Sequence, residues 1–253
     1  MLLPFVCAGY PTPDALGPTL IALSDLGCPV IEIGIPFSDP IADGPVIAAA
    51  MHSALNPAPG GVKTTPDRVM SEVARHRPNI KAALVAMVSC SIVLRLGAAK
   101  FITHAASSGL DGLIIPDLPL EESTEVRELA ARAGLSLSLL IAPTTPTDRA
   151  AKIAAACTGF VYMLARTGIT GAETGTAMSA ALPARVAALR SATSIPIACG
   201  FGISKRDDVR DVLRFADAAI VGSAVVRCMG DAASRGTDPS QAAAAFVRTL
   251  LPQ

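Results

Sequence analysis

The sequence predicts an α/β protein built as a single closed (β/α)8 barrel of the TIM type, with residues 1–253 forming one domain. Three observations carry this. Short apolar runs recur eight times, each followed by a turn and a helical pattern, and strands alternating with helices build a parallel sheet. Units this regular leave no edge strand, which favours closure over an open doubly wound sheet. At 253 residues, 51% hydrophobic and 4% aromatic, the chain has the usual size of such a barrel and ample aliphatic side chains to fill it.

The strands are expected at residues 3–8, 30–35, 80–88, 112–117, 135–142, 159–164, 195–200 and 217–222. The helices are expected at 13–26, 66–76, 98–108, 121–133, 147–157, 179–191, 205–215 and 239–251. The first helix has Thr12 as its expected N-cap and Pro13 at its first position, where a missing N–H costs nothing. In the second strand, alternation puts Ile31, Ile33 and Ile35 on one face and Val30, Glu32 and Gly34 on the other. Glu32 therefore interrupts an apolar strand covered on both sides, where its charged form is costly. Turn signals follow at Pro36 and Ser38-Asp39-Pro40, and a second acid, Asp43, precedes Gly44-Pro45. Desolvation is expected to raise the pKa of Glu32, whereas Asp43, in a polar loop, is expected to stay ionised, a split that separates acid from base. The alternative is a core glutamate satisfied by backbone hydrogen bonds beside an aspartate that caps a helix before Pro45.

The Pro/Gly-rich segment 56–65 reads as a loop within the barrel and not as a linker, because the βα rhythm continues across it. Glycines gather after the last three strands: in Arg166-Thr167-Gly168-Ile169-Thr170-Gly171, in Cys199-Gly200-Phe201-Gly202-Ile203-Ser204 and in Val221-Gly222-Ser223-Ala224. Such loops let backbone N–H groups approach an anion, and a helix starting at Ser223 would aim its positive end there. A phosphate cradle is expected after strands six, seven and eight. Phe160, Tyr162 and Leu164 share a face of the sixth strand, so Tyr162 either presents its hydroxyl to the barrel mouth or fills the core as an aromatic.

Composition excludes several classes. Net charge is zero and no basic cluster with interleaved aromatics occurs, so the footprint of a nucleic-acid binder is missing. Residues 1–62 carry five acids and no Lys or Arg, so an anionic group must be held in the later loops. The six cysteines are scattered singly, without the spacing of a zinc site, and read as core residues in a reducing compartment. His52, His76 and His104 read as structural or solvated, and no GxSxG, HExxH or Walker-type loop is present. With no basic leader at the start and no apolar run long enough to span a bilayer, a soluble cytoplasmic protein is expected.

Seven motifs carry a family resemblance. PFVCAGYP, IEIGIPFSDPIADGPVI, DGLIIPDLPLEE, LIAPTTP, GFVYMLARTGITGAE, ACGFGIS and AIVGSAVV, in this order and spread over residues 4–226, resemble the tryptophan synthase alpha subunit. The resemblance implies a (β/α)8 barrel that cleaves indole-3-glycerol phosphate to indole and glyceraldehyde 3-phosphate in tryptophan biosynthesis, without metal or organic cofactor. It implies catalytic roles for Glu32, Asp43 and Tyr162. It also implies that Phe5 and Phe201 pack on the indole, that Gly171, Gly202, Gly222 and Ser223 bind phosphate, and that a beta subunit is the partner in an alpha2-beta2 tetramer. Three features depart from the family pattern. The family usually has a helix ahead of the first strand, whereas this chain starts three residues before Pro4; Tyr10 replaces the usual aspartate; and Met87-Val88-Ser89-Cys90-Ser91-Ile92 stands where the family typically reads MTYYNP, in a loop that contacts the beta subunit. Beside the lyase working with a beta subunit stand two alternatives: a free-standing lyase that releases indole, and a barrel that activates a beta subunit without turnover. Another phosphate-binding barrel, a sugar-phosphate isomerase or prenyltransferase, would suit the glycine loops but not the run from Ile31 to Pro45.

Overall fold

In the computed structural model, which describes residues 1–40, 43–165, 181–200 and 202–251, every described strand lies in one parallel sheet. The strands are β1 (Leu2–Cys7), β2 (Val30–Gly34), β3 (Ala83–Met87), β4 (Gly112–Ile114), β5 (Ser136–Ser138), β6 (Leu140–Ile141), β7 (Val161–Leu164), β8 (Ile197–Gly200) and β9 (Ala218–Val221). Their order is β5-β4-β3-β2-β1-β9-β8-β7-β6. The two ends of that order are neighbours along the chain, with only Leu139 between them, so the sheet closes on itself through eight staves.

The fifth stave, expected as one strand over 135–142, is thus two short segments. The reason is local. The Leu139 N–H points at the Cys157 sulfur, 3.3 Å away, instead of joining the ladder, while its carbonyl accepts the Tyr162 N–H at 3.3 Å. β1 keeps the expected six residues, one position earlier, and the other strands occupy the expected positions but are shorter than the runs that signalled them, since ladder pairing stops before the hydrophobic stretch does.

Helices surround the sheet: α1 (Leu16–Asp25), α2 (Pro45–Leu55), α3 (Pro66–His76), α4 (Cys90–Leu96), α5 (Ala98–Ser107), α6 (Thr124–Arg132), α7 (Thr147–Ala156), α8 (Leu182–Arg190), α9 (Arg206–Val212), α10 (Ser223–Ser234) and α11 (Pro239–Leu250). Two corrections apply. Thr12 does not cap α1: residues Pro13–Ala15 form a 3-10 turn, and the Thr12 side chain makes no capping bond. Helices α2 and α4 are additional, although α2 buries Ile47, Ala50, Met51 and Ala54 at the i, i+3, i+4, i+7 spacing that marks an amphipathic helix. Where capping does occur it is specific, as in α3, whose Thr65 hydroxyl accepts the Arg68 N–H at 3.4 Å.

The side-chain period of two divides the strands between two cores. Ile31, Ile33, Leu84 and Leu113 are fully buried between sheet and helices. Leu3, Val85, Ile114, Phe160, Ala198 and Ile220 fill the barrel. Each such aliphatic side chain contributes roughly 2 kcal/mol on leaving water, so the pattern that closes the barrel also selects which residues look inward. Parallel register sets Phe5, Glu32 and Val85 side by side in one interior layer.

Candidate active site

Glu32 lies on β2 at the level of Phe5 on β1 and Val85 on β3, facing inward. It is fully buried, and neither carboxyl oxygen has a hydrogen-bond partner among the described residues. A core glutamate satisfied by backbone donors is therefore not what the barrel contains. Burial holds its pKa well above the ordinary carboxyl range and so favours the protonated form.

Asp43 follows β2 in a bend whose N–H donates to the Pro40 carbonyl at 3.0 Å. It does not behave as a solvated loop acid. Half-buried at the cavity wall, it is desolvated enough to raise its pKa to about 6. The two acids differ in degree of burial: Glu32 is fully buried, whereas Asp43 keeps part of its surface exposed at the cavity wall, and burial shifts both carboxyls upward.

Tyr162 on β7 is buried in the interior layer beside Phe160, with ring centroids 6.4 Å apart. Burial first, then the neighbouring Asp43 and Glu32 carboxyl groups, push its phenol pKa far up, so it stays neutral and able to donate. Its hydroxyl occupies the space over Gly200, where a Cβ would lie 2.7 Å from the oxygen. Gly34 likewise gives way to the tip of the Phe5 ring.

Phe5, Asp43 and Tyr162 meet at the C-terminal ends of the strands and line one side of a cavity of about 540 Å³, with Gly202, Gly222 and Ser223 towards β8 and β9; Glu32 is not in the lining itself but neighbours Phe5 across the ladder. Helix α10 starts at Ser223 with Gly222 as the preceding residue, so the unpaired N–H groups and positive dipole end of its first turn open towards the cavity. Gly202 has φ of 73°, a conformation that favours glycine. Gly171 and Phe201, expected at the phosphate and the indole, lie outside the described residues.

The opposite wall holds groups that motif reading did not single out as cavity residues: Ser89 and Ser91 after β3, and Asp117 after β4. Their position just beyond strand ends is the signal that could have found them. Tyr10 is not in the lining; its hydroxyl packs on the backbone of Gly230 in α10. Among the described residues no cluster of His, Cys, Asp and Glu is arranged to hold a metal, and no helix is long and apolar enough to cross a membrane.

A closed parallel barrel whose strand ends open on one apolar cavity, with two desolvated acids and a glycine-lined helix start, defines a (β/α)8 barrel enzyme. Residues 1–251 match the family model of the tryptophan synthase alpha chain. The tryptophan synthase alpha chain of Synechococcus sp. (strain CC9902) is 41% identical over 232 residues, covering 91% of this chain and 84% of the relative. That of Nitratidesulfovibrio vulgaris (strain DP4) is 41% identical over 236 residues, covering 92% and 89%. Among solved structures, tryptophan synthase subunit alpha from Legionella pneumophila str. Paris superposes with a TM-score of 0.85 at 30% identity over 99% of this chain and 90% of that one. Tryptophan synthase from M. tuberculosis in its aminoacrylate-bound form gives 0.82 at 30% identity over 98% and 91%. The chain belongs to the tryptophan synthase alpha chain family, a family of lyases.

Proposed function

We propose that this chain cleaves indole-3-glycerol phosphate to indole and glyceraldehyde 3-phosphate, the retro-aldol step of tryptophan biosynthesis, with Glu32 as general acid and base. The observation that carries the proposal is the Glu32 carboxyl: fully buried in the barrel beside Phe5, which lines the cavity, without a hydrogen-bond partner among the described residues and with its pKa raised by burial. Such a group costs stability unless the ligand uses it.

The chemistry needs a proton at indole C3. As Glu32 delivers it, the nitrogen lone pair moves into the ring and positive charge develops at N1, where ionised Asp43 accepts the indole N–H and stabilises that charge. The hydroxyl on the carbon attached to C3 then loses its proton, that carbon becomes an aldehyde, and the electrons of the broken C–C bond restore the aromatic indole. The carboxylate left on Glu32 takes up the hydroxyl proton and is ready for another cycle. Tyr162, neutral at working pH, donates a hydrogen bond in the same layer. The amides of Gly202, Gly222 and Ser223 hold the phosphate. By family resemblance Gly171 joins them, and Phe201 packs with Phe5 on the indole.

A tryptophan synthase beta subunit in an alpha2-beta2 assembly in the cytoplasm is the proposed partner and setting, supported by the name these relatives share. The free-standing lyase is a second reading, favoured by the Ser89-Cys90-Ser91 run that replaces the family's usual residues after β3. Indole release by the purified chain, alone and with a beta subunit titrated in, tests both. Slow release that rises on adding beta supports the coupled subunit, and fast release indifferent to beta supports the second reading. No release in either condition rejects the lyase.

A further inference from the structure

With eight staves in the ring, β3 stands opposite β8 and β4 opposite β9. Ser89 and Ser91 after β3, and Asp117 after β4, therefore face Gly202 and Ser223 across the mouth of the cavity they all line. The three form a directed network. The Asp117 carboxylate accepts the Cys90 N–H through Oδ1 at 2.7 Å and the Ser89 hydroxyl through Oδ2 at 2.7 Å. Ser89 and Ser91 hydroxyl oxygens are 2.8 Å apart. The single hydroxyl proton of Ser89 is given to Asp117, so Ser91 is the donor in that contact, and its oxygen is left with lone pairs alone to offer.

A substrate anchored by its phosphate at Gly202 and Ser223 extends its other end towards this wall. On the reading of the preceding subsection, that end is the six-membered ring of the indole, whose plain edge carries nothing for an acceptor to bind. We propose that this wall determines ring specificity: the chain takes indole-3-glycerol phosphates bearing a small hydrogen-bond donor, a hydroxyl or amine, on the six-membered ring. Ser91 accepts from that group, while Ser89 and Asp117 act as positioning residues that orient the Ser91 lone pairs. Space for the substituent comes from side-chain size, because the wall there is built from the small side chains of Ser89 and Ser91. Ser91 is exposed at the rim, so the bond competes with water and the preference it produces is about fivefold.

The test is calorimetric binding of phosphate esters of 3-(indol-3-yl)propanol, which lack the hydroxyl that cleavage deprotonates, so binding is read without turnover. Three rings are compared at the 5- and 6-positions: unsubstituted, hydroxyl, and the near-isosteric methyl. Wild type is expected to bind one hydroxyl ester about fivefold tighter than its methyl counterpart, and Ser91→Ala to bind the two within about twofold. Equal binding of hydroxyl and methyl esters by wild type, or a preference that persists in Ser91→Ala, overturns the inference while tight binding of the plain ester leaves the proposed function standing. Failure of every ester to bind overturns both.

Discussion

Replacing Asp43 by asparagine should stabilise the protein while crippling the proposed reaction, and the stabilisation should depend on pH in a defined way. In the folded barrel the carboxyl titrates at about 6 against an ordinary value of 3.8, because the cavity wall desolvates it. The native state therefore binds this proton more tightly than the unfolded chain. Stability from this group is greatest below its unfolded pKa, falls as pH rises through the interval up to about 6, and is level above it. At about 1.36 kcal/mol per pKa unit the full interval is worth about 3 kcal/mol, and partial exposure to the solvent-filled cavity brings this nearer to 2 kcal/mol. For a chain of this size 2 kcal/mol corresponds to roughly 4–8 °C in Tm. Thermal melts of wild type and Asp43→Asn from pH 3.5 to 8 should thus coincide at the acid end and separate by that amount at pH 7 to 8, with the variant higher. Activity should move the other way: wild-type kcat/KM falls below about pH 6 as Asp43 protonates, and the asparagine, a weaker acceptor, leaves only a small residual rate. A difference in Tm that is flat across this range would refute the argument, because it would mean that the Asp43 carboxyl is not desolvated in the fold.

Glu32→Gln should retain the fold, since glutamine is nearly isosteric and burial already disfavours the charged carboxyl, and lose cleavage by at least about a thousandfold; indole release near the wild-type rate would remove Glu32 from the acid-base role. Ser223→Asp places a carboxylate at the start of α10, where it suits the helix dipole but repels phosphate. Tm should hold or rise slightly while KM for the phosphorylated substrate climbs at least about tenfold, and an unchanged KM would move the phosphate elsewhere. Gly200→Ala drives a methyl to 2.7 Å from the Tyr162 hydroxyl and should cost about 1–3 kcal/mol in denaturant unfolding together with a lowered kcat; a neutral effect on both would show that the phenol position is not constrained by that backbone.

Strand alternation made much of the site legible. A period of two is a property of neighbouring residues, so the face shared by Val30, Glu32 and Gly34 follows from the order of side chains, and in the barrel that face looks inward, as does Tyr162. Eight βα units in 253 residues likewise dictated a closed parallel sheet, because regular parallel strands with no candidate for an edge have only one way to pair every backbone group. The α2 spacing at Ile47, Ala50, Met51 and Ala54 was present in the sequence but hidden within an apolar stretch where the polar half of the pattern is weak.

Other features depend on groups far apart in the chain. Asp43 sits in a segment whose composition is that of an open loop, and only the packing of elements from β1, β3 and β7 around it creates the cavity that shifts its pKa. The break in the fifth stave depends on Cys157 coming close to the Leu139 N–H, eighteen residues earlier in the chain. The acceptor at Ser91 exists because Asp117, from the next βα loop, takes the Ser89 proton. Sequence by itself determined the architecture and which strand residues face inward, since both follow from local periodicity. Only the tertiary structure decided how dry each acid is and which way each hydroxyl points, because desolvation and hydrogen-bond direction are set by whatever the fold brings within a few ångströms.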